Sequence, residues 1–184
     1  MVQHDRKRVV IVTGASRGLG RAIAIRFGRA EERVVVNFLY DEGKAASSAD
    51  EIHDAGGEAV AIRADVRDAA AVDSLIRETV HRWGAVDVFV NNAGVVNDGL
   101  LMGMTEKAWD DVLDTNLKGP FLCMRAVSKV MMKQRQGHIL SVSSIVGLQG
   151  RVGQGNYAAS KAGLIGLTKA AARELGRYDI KVNA

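Results

Sequence analysis

Short runs of apolar, mostly β-branched side chains recur along the chain, separated by longer stretches in which apolar residues return every third or fourth position. The runs predict strands at Arg8–Val12, Arg33–Phe38, Ala59–Arg63, Val86–Val90, His138–Val142 and Ile180–Val182, with amphipathic helices between them. Continuous apolar strands are buried on both faces, so the alternation predicts parallel strands joined by right-handed crossovers, with helices on both sides of one sheet. The fold class expected is α/β, a doubly wound parallel sheet in three α/β/α layers. No repeat, linker or low-complexity tract breaks the pattern, and residues 1–184 read as a single domain. The single proline, Pro120, lies in a long helical segment, where it marks a helix start or a kink.

Composition agrees with this picture. A length of 184 residues with 47% hydrophobic content suits one domain with a sizeable core. The formal charge of +4 and pI near 9.4 raise the question of nucleic acid. Lys and Arg are scattered among acids without a basic tract or interleaved aromatics, which excludes that partner and leaves an anionic cofactor or an acidic carrier. The lone Cys123 sits in an apolar helical stretch and cannot form an intrachain disulfide, so a reducing, cytoplasmic location is expected. The basic segment Met1–Arg8 precedes Val9–Val12, an apolar run too short for a signal core, and no stretch approaches the ~18 apolar residues of a membrane span. The isolated His4, His53, His81 and His138 have no metal-ligand spacing, and no metal is expected.

The first chemical signal follows the first strand. Thr13-Gly14-Ala15-Ser16-Arg17-Gly18-Leu19-Gly20 runs directly into a helical pattern at Arg21-Ala22-Ile23-Ala24. Glycines let backbone approach a ligand, and the free amides of a helix start favour a pyrophosphate. Strand, glycine turn and helix together predict a Rossmann-like dinucleotide site, although the spacing is G-x-x-x-G-x-G rather than G-x-G-x-x-G. Folds that bind NAD commonly place an acid near the end of the second strand; here Asn37 stands there. The missing acid, with Arg17 in the turn, favours NADP(H). Asp41 and Glu42 read as the start of the helix containing Lys44–Ala55, where acids suit the helix dipole.

The second signal is Tyr157 four residues before Lys161, with Ser144 thirteen residues upstream of the tyrosine. Positions i and i+4 share a helix face, so a phenol and an ammonium stand side by side. A nearby positive charge favours the ionised form of a phenol, which suits proton transfer to a carbonyl oxygen. Taken alone, the pair is also what an ordinary helix of this composition yields.

With the glycine turn, Asn91-Asn92-Ala93-Gly94 after the fourth strand, and Ser144 with Tyr157 and Lys161, the chain resembles the classical type of short-chain dehydrogenase/reductase over almost its whole length. Segments Asn97–Met102, Asp114–Leu117 and Asn156–Leu164 are most similar to the branch that reduces 3-oxoacyl groups on acyl carrier protein in fatty acid biosynthesis. The resemblance implies that Tyr157 protonates the substrate carbonyl oxygen, that Ser144 orients it, and that Lys161 assists the tyrosine and holds the nicotinamide ribose. It also implies that Asn116 positions a water linking Lys161 to solvent. Gly14, Ser16, Arg17, Gly18, Leu19, Gly20, Asn37, Asp65, Val66, Asn91, Ala93 and Gly94, together with Tyr157 and Lys161, would bind the cofactor, with Asp65 in the adenine pocket and Asn91 and Gly94 beneath the adenosine ribose. Asn91 and Asn116 also have a plain reading as partners of buried backbone.

Met102, Met104, Met124, Met131 and Met132 fit either an acyl pocket or, the favoured reading, core packing. Lys129, Lys133, Arg135, Arg173 and Arg177 fit either a dock for an acidic carrier protein or solvated helix faces. A homodimer or homotetramer through the two long helices is the assembly the resemblance implies. It also implies a proline-glycine turn, a substrate lid, a last helix and a seventh strand after Ala184, so a fold lacking the usual final strand and lid is expected. Glu32 stands where the family often has glycine. Other readings are a related reductase acting on acyl-CoA, sugar or steroid, and a dinucleotide-binding scaffold without catalysis.

Overall fold

Val9–Val12 forms β1, and all four of its side chains are fully buried. Burying a side chain of this size contributes about 1.5–3 kcal/mol, so this short strand is a large part of what ties the sheet to its helices. The computed structural model describes residues 6–184, and the reading of the basic segment therefore falls, for residues 1–5, outside the described residues, as does His4. After β1 come α1 (Gly18–Gly28), β2 (Arg33–Phe38), α2 (Glu42–Asp54), β3 (Glu58–Arg63), α3 (Ala69–Trp83) and β4 (Val88–Asn91). The second half holds α4 (Glu106–Leu113), α5 (Gly119–Gln134), β5 (Gly137–Ser141), α6 (Val146–Gln149), α7 (Gly155–Leu175) and β6 (Ile180–Asn183).

The strands form one six-stranded parallel sheet in the order β3-β2-β1-β4-β5-β6. The chain winds outward from β1 to β3, returns to place β4 on the other side of β1, and winds outward again. The crevice at the carboxyl ends of β1 and β4 is therefore a topological switch point, where open α/β sheets bind ligands.

Alternate strand residues feed two cores. Ile11, Val35, Phe89 and Ile139 pack with Leu75 of α3, Val127 and Met131 of α5 and Leu164 of α7. Val10, Val12, Val34, Val36 and Val90 pack on the other face with Ala24 and Ile25 of α1 and Ala45 and Ile52 of α2. The three-layer expectation holds from β3 to β4. At β5 and β6 the residues alternate, with His138, Leu140, Lys181 and Asn183 exposed, so among the described residues helices cover only one face there. Met124 and Met131 are core residues as expected, whereas Met102 is 96% exposed and packs in no core.

Local chemistry sets the element ends. Asp41 caps α2 by accepting from Lys44 N–H, and Asp68 caps α3 through the amides of Ala70 and Ala71. Glu32 is used rather than tolerated: its carboxylate accepts from the backbone N–H and the guanidinium of Arg8, closing the entry to β1. Pro120 lies in the first turn of α5, where its missing N–H is harmless. Residues Asp114–Lys118 between α4 and α5 form a π-helical turn, so the helical path runs on from Glu106 to Gln134 with a local widening. No described helix is long and apolar enough to cross a membrane.

Candidate active site

The first helix begins without a side-chain cap, at Arg17, and Gly18, Leu19 and Gly20 of its first turn face a cleft of about 550 Å3. Uncapped amides at the positive end of a helix dipole, opening into a cleft, suit an anion. Gly18 has φ +57° and open space where a side chain would stand. A Cβ on Gly20 would lie 2.3 Å from Asn92 Nδ2 and 2.4 Å from the Gly14 carbonyl oxygen, so the tight turn admits only glycine.

Asn92 explains that crowding. Its amide donates to the carbonyls of Thr13 (2.8 Å) and Gly14 (3.2 Å), while the Thr13 hydroxyl accepts from the N–H groups of Asn92 and Ala93, each at 3.0 Å. This cross-brace locks the loop after β4 to the loop after β1 at the switch point. Sequence reading passed over both residues; the signal available was the Asn91-Asn92 doublet, of which only Asn91 was given a role.

Of the residues expected to hold a cofactor, Gly14, Ser16, Arg17, Gly18, Leu19, Gly20, Asn37, Asp65, Val66, Ala93 and Gly94 line this cleft. Asn91 does not; it is buried one position back, and its Nδ2 has no partner among the described residues. Asn37 reaches the lining but is only 1% exposed, and its amide is spent inside the protein. It donates to the carbonyls of Ile62 and Ala64 and accepts from Gly14 N–H. Asn37 therefore shapes the turn, and Phe38, Leu39 and Tyr40 beyond it present the second strand's end to the cleft. Asp41 also lines the cleft, but Lys44 at 2.8 Å holds its carboxyl below the usual range through a hydrogen bond and charge.

The Tyr157–Lys161 pair stands on the first two turns of α7, beyond the Val95 and Thr115 end of the cleft. Lys161 Nζ donates to the Val142 carbonyl at 2.7 Å and lies 5.7 Å from the Tyr157 ring centre. Burial lowers the Lys161 pKa, since desolvation penalises the ammonium. Ser144 lies in the loop after β5, where its Oγ accepts from Val146 N–H at 3.2 Å. That loop is pressed against α7: Ser143 Oγ donates to the Lys161 carbonyl, and a Cβ on Gly147 would meet the Lys161 backbone at 2.8 Å. Serine, tyrosine and lysine are thus brought together on adjoining segments.

Asn116 sits in the π-helical turn, fully buried. Its Oδ1 accepts from Val95 N–H at 2.8 Å, and its Nδ2 donates to the Val95 carbonyl at 2.9 Å and to Ser160 Oγ at 3.4 Å. The amide thus braces the loop after β4 and touches the residue preceding Lys161. Asn156, quoted in the sequence motif without a role, is the matching brace: its Nδ2 donates to the carbonyls of Asn97 and Ala108, and its Oδ1 accepts from Tyr157 N–H at 2.7 Å. It ties α4 and the loop after β4 to the turn that carries the tyrosine.

Leu100, Leu101, Met102, Ile145, Leu148 and Val152 are exposed apolar side chains on the segments flanking Tyr157. The isolated bridge between Gly99 and Gln154 brings two of these segments together. Lys133, Arg135, Arg173 and Arg177 are exposed at or just past the other ends of α5 and α7; along α7, Arg173 stands about 24 Å from Tyr157 at 1.5 Å per residue. There Arg135 and Arg177 lie 5.7 and 4.9 Å from the Tyr178 ring centre. Among the described residues no three His, Cys, Asp or Glu side chains converge on a metal position.

Comparison with known proteins adds descent to this geometry. The profile of the family described as short chain dehydrogenase matches residues 8–184. The chain is 50% identical over 174 residues to the 3-oxoacyl-(acyl-carrier-protein) reductase FabG of Staphylococcus aureus, covering 95% of this chain and 71% of that protein. It is 46% identical over 177 residues to the 3-oxoacyl-(acyl-carrier-protein) reductase of Synechocystis, covering 96% and 72%. Among solved structures, a short chain dehydrogenase from Mycobacterium avium superposes with a TM-score of 0.91 at 44% identity, covering 96% of this chain and 66% of that one.

Proposed function

The chain belongs to the short-chain dehydrogenase family, a family of oxidoreductases, and from that premise we propose that it reduces the 3-oxo group of an acyl thioester carried on acyl carrier protein, using NADPH. The observation that carries the substrate class is the extent of likeness to two carrier-protein reductases along nearly the whole chain. The exposed apolar side chains around Tyr157 support it, since an acyl chain needs an apolar surface beside the reacting carbonyl.

The cleft fits a dinucleotide: an uncapped helix start and Gly18 suit the pyrophosphate, and the walls at Tyr40 and Asp65 suit the adenosine. Arg17 at the lip and Asp41 occupied by Lys44 favour a 2′-phosphate over a free ribose diol. A bound nicotinamide supplies the hydride. Tyr157 gives its hydroxyl proton to the carbonyl oxygen, Ser144 donates a hydrogen bond to that oxygen, and Lys161 stabilises the tyrosine anion left behind. Val142, by accepting from Nζ, fixes the ammonium beside the ring. Asn116 and Asn156 hold the loop and helix start that set this geometry.

The test is steady-state oxidation of NADPH and of NADH with acetoacetyl groups on acyl carrier protein and on coenzyme A. The reading expects the highest kcat/KM with NADPH and the carrier-linked substrate. Equal or better turnover of the coenzyme A thioester, or of a sugar or steroid ketone, would overturn the carrier-protein assignment, and a preference for NADH would overturn the cofactor assignment.

A further inference from the structure

Arg67 lies in the turn between β3 and α3, one residue before the cap of that helix, and it lines the cleft together with Asp65. Its hold on Asp65 is unusually complete for a half-buried arginine. Nε donates to Oδ1 and Oδ2 at 3.0 Å each, Nη2 donates to Oδ2 at 2.7 Å, and the Arg67 backbone N–H donates to Oδ1 at 2.9 Å. One edge of the guanidinium is thereby consumed. What remains for the cleft is the flat face and Nη1, which has no protein acceptor among the described residues.

We propose that Arg67 is a wall of the adenine subsite, its guanidinium face stacking on the purine of the bound dinucleotide. The inference rests on the dinucleotide reading above. Two observations favour a face contact over a phosphate contact. The Asp65–Arg67 pair is neutral as a unit, so it does not add positive charge for a 2′-phosphate, a part that Arg17 fills at the helix start. The pairing fixes the plane of the fork before any ligand arrives, so stacking costs little side-chain entropy. Asp65, with both oxygens engaged by Arg67, serves first as the anchor of that plane. Because the pair is partly solvated, with side chains 36% and 24% exposed, its loss leaves the fold intact.

The experiment measures equilibrium binding of NADPH, NADH and reduced nicotinamide mononucleotide to the parent chain and to Arg67→Lys and Arg67→Ala, with circular dichroism confirming the fold. Arg67→Ala is expected to weaken NADPH and NADH by a similar factor of about 5–30 while leaving the mononucleotide unchanged, because only the first two carry adenine. Arg67→Lys keeps the charge beside Asp65 but removes the plane, and its affinities are expected to lie nearer the alanine variant than the parent. Parent affinity in Arg67→Lys would reduce the residue to a counter-charge, and a loss confined to NADPH would make it a phosphate ligand; either overturns the proposal. Failure of the parent chain to bind either dinucleotide would instead refute the reading on which the proposal rests.

Discussion

Replacing Asn116 by alanine separates two roles for a residue whose sequence context implies a water relay and whose geometry makes it a brace. In the structure the amide closes a two-pronged contact with the Val95 backbone, at 2.8 and 2.9 Å, from a fully buried position. Removing it leaves the Val95 N–H and carbonyl unpaired. Val95 is 43% exposed, so water recovers part of each loss, and about 1 kcal/mol per bond is the appropriate magnitude. The lost packing of the buried amide adds a further increment of about 0.5–1 kcal/mol. The sum, about 2.5–3 kcal/mol, corresponds to a fall in Tm of about 5–12 °C for a domain of this size. Thermal and urea unfolding of parent and Asn116→Ala measure it, with an unchanged m-value showing that stability alone has moved. A variant that melts within about 1 °C of the parent while carbonyl reduction falls a hundredfold would refute the brace and leave the relay.

Gly20→Ala places a methyl group 2.3 Å from Asn92 Nδ2 and 2.4 Å from a backbone oxygen, so it is expected to cost about 1–3 kcal/mol and to weaken NADPH binding at least about tenfold; an unaltered titration would contradict the tight-turn argument. Lys161 holds its proton less tightly folded than unfolded, where its value is 10.5. Between its lowered pKa and 10.5 the unfolded chain binds more protons, so stability rises with pH through that window. Urea unfolding of parent and Lys161→Met at pH values on either side should show their difference moving in the parent's favour at the higher pH, and movement the other way would contradict the burial argument. Cys123 is fully buried and its thiol is pushed up to about 12 by desolvation, so an aromatic disulfide reagent at mildly alkaline pH should label it only after denaturant is added. Rapid labelling of the native protein would show the helix packing to be looser than described.

Elements whose signal is local were legible in advance. The run Val9–Val12 reads as a strand because nothing in it is polar, and Asp41 reads as a helix start because an acid before Glu42 and Gly43 satisfies free amides. The Ser144, Tyr157 and Lys161 grouping was legible because helix periodicity and family spacing agree. What escaped was set by contacts between distant segments. The Asn92 brace joins residues 79 apart in sequence, and no local pattern announces it. The missing acid at Asn37 reads as a cofactor signal because that position lies near the end of β2, whereas the hold of the Ile62 and Ala64 carbonyls on its amide depends on the pairing with β3 and has no local sign. The π-helical turn that aims Asn116 inward has no composition signal, since Asp114–Lys118 reads as ordinary helix. Arg67 has no local sequence signal, because its pairing with Asp65 and its place on the cleft appear only in the folded chain.

Single-turnover hydride transfer from NADPH to an acetoacetyl thioester, followed in parent and Tyr157→Phe, bears most directly on the claim that Tyr157 delivers the proton beside Lys161. The phenylalanine variant should bind NADPH and melt as the parent does, because no side-chain hydrogen bond of Tyr157 supports the described structure, while the transfer rate falls by about 10²–10⁴-fold. Transfer within about threefold of the parent rate, with binding and stability equally intact, would contradict the assignment of Tyr157 as the proton donor.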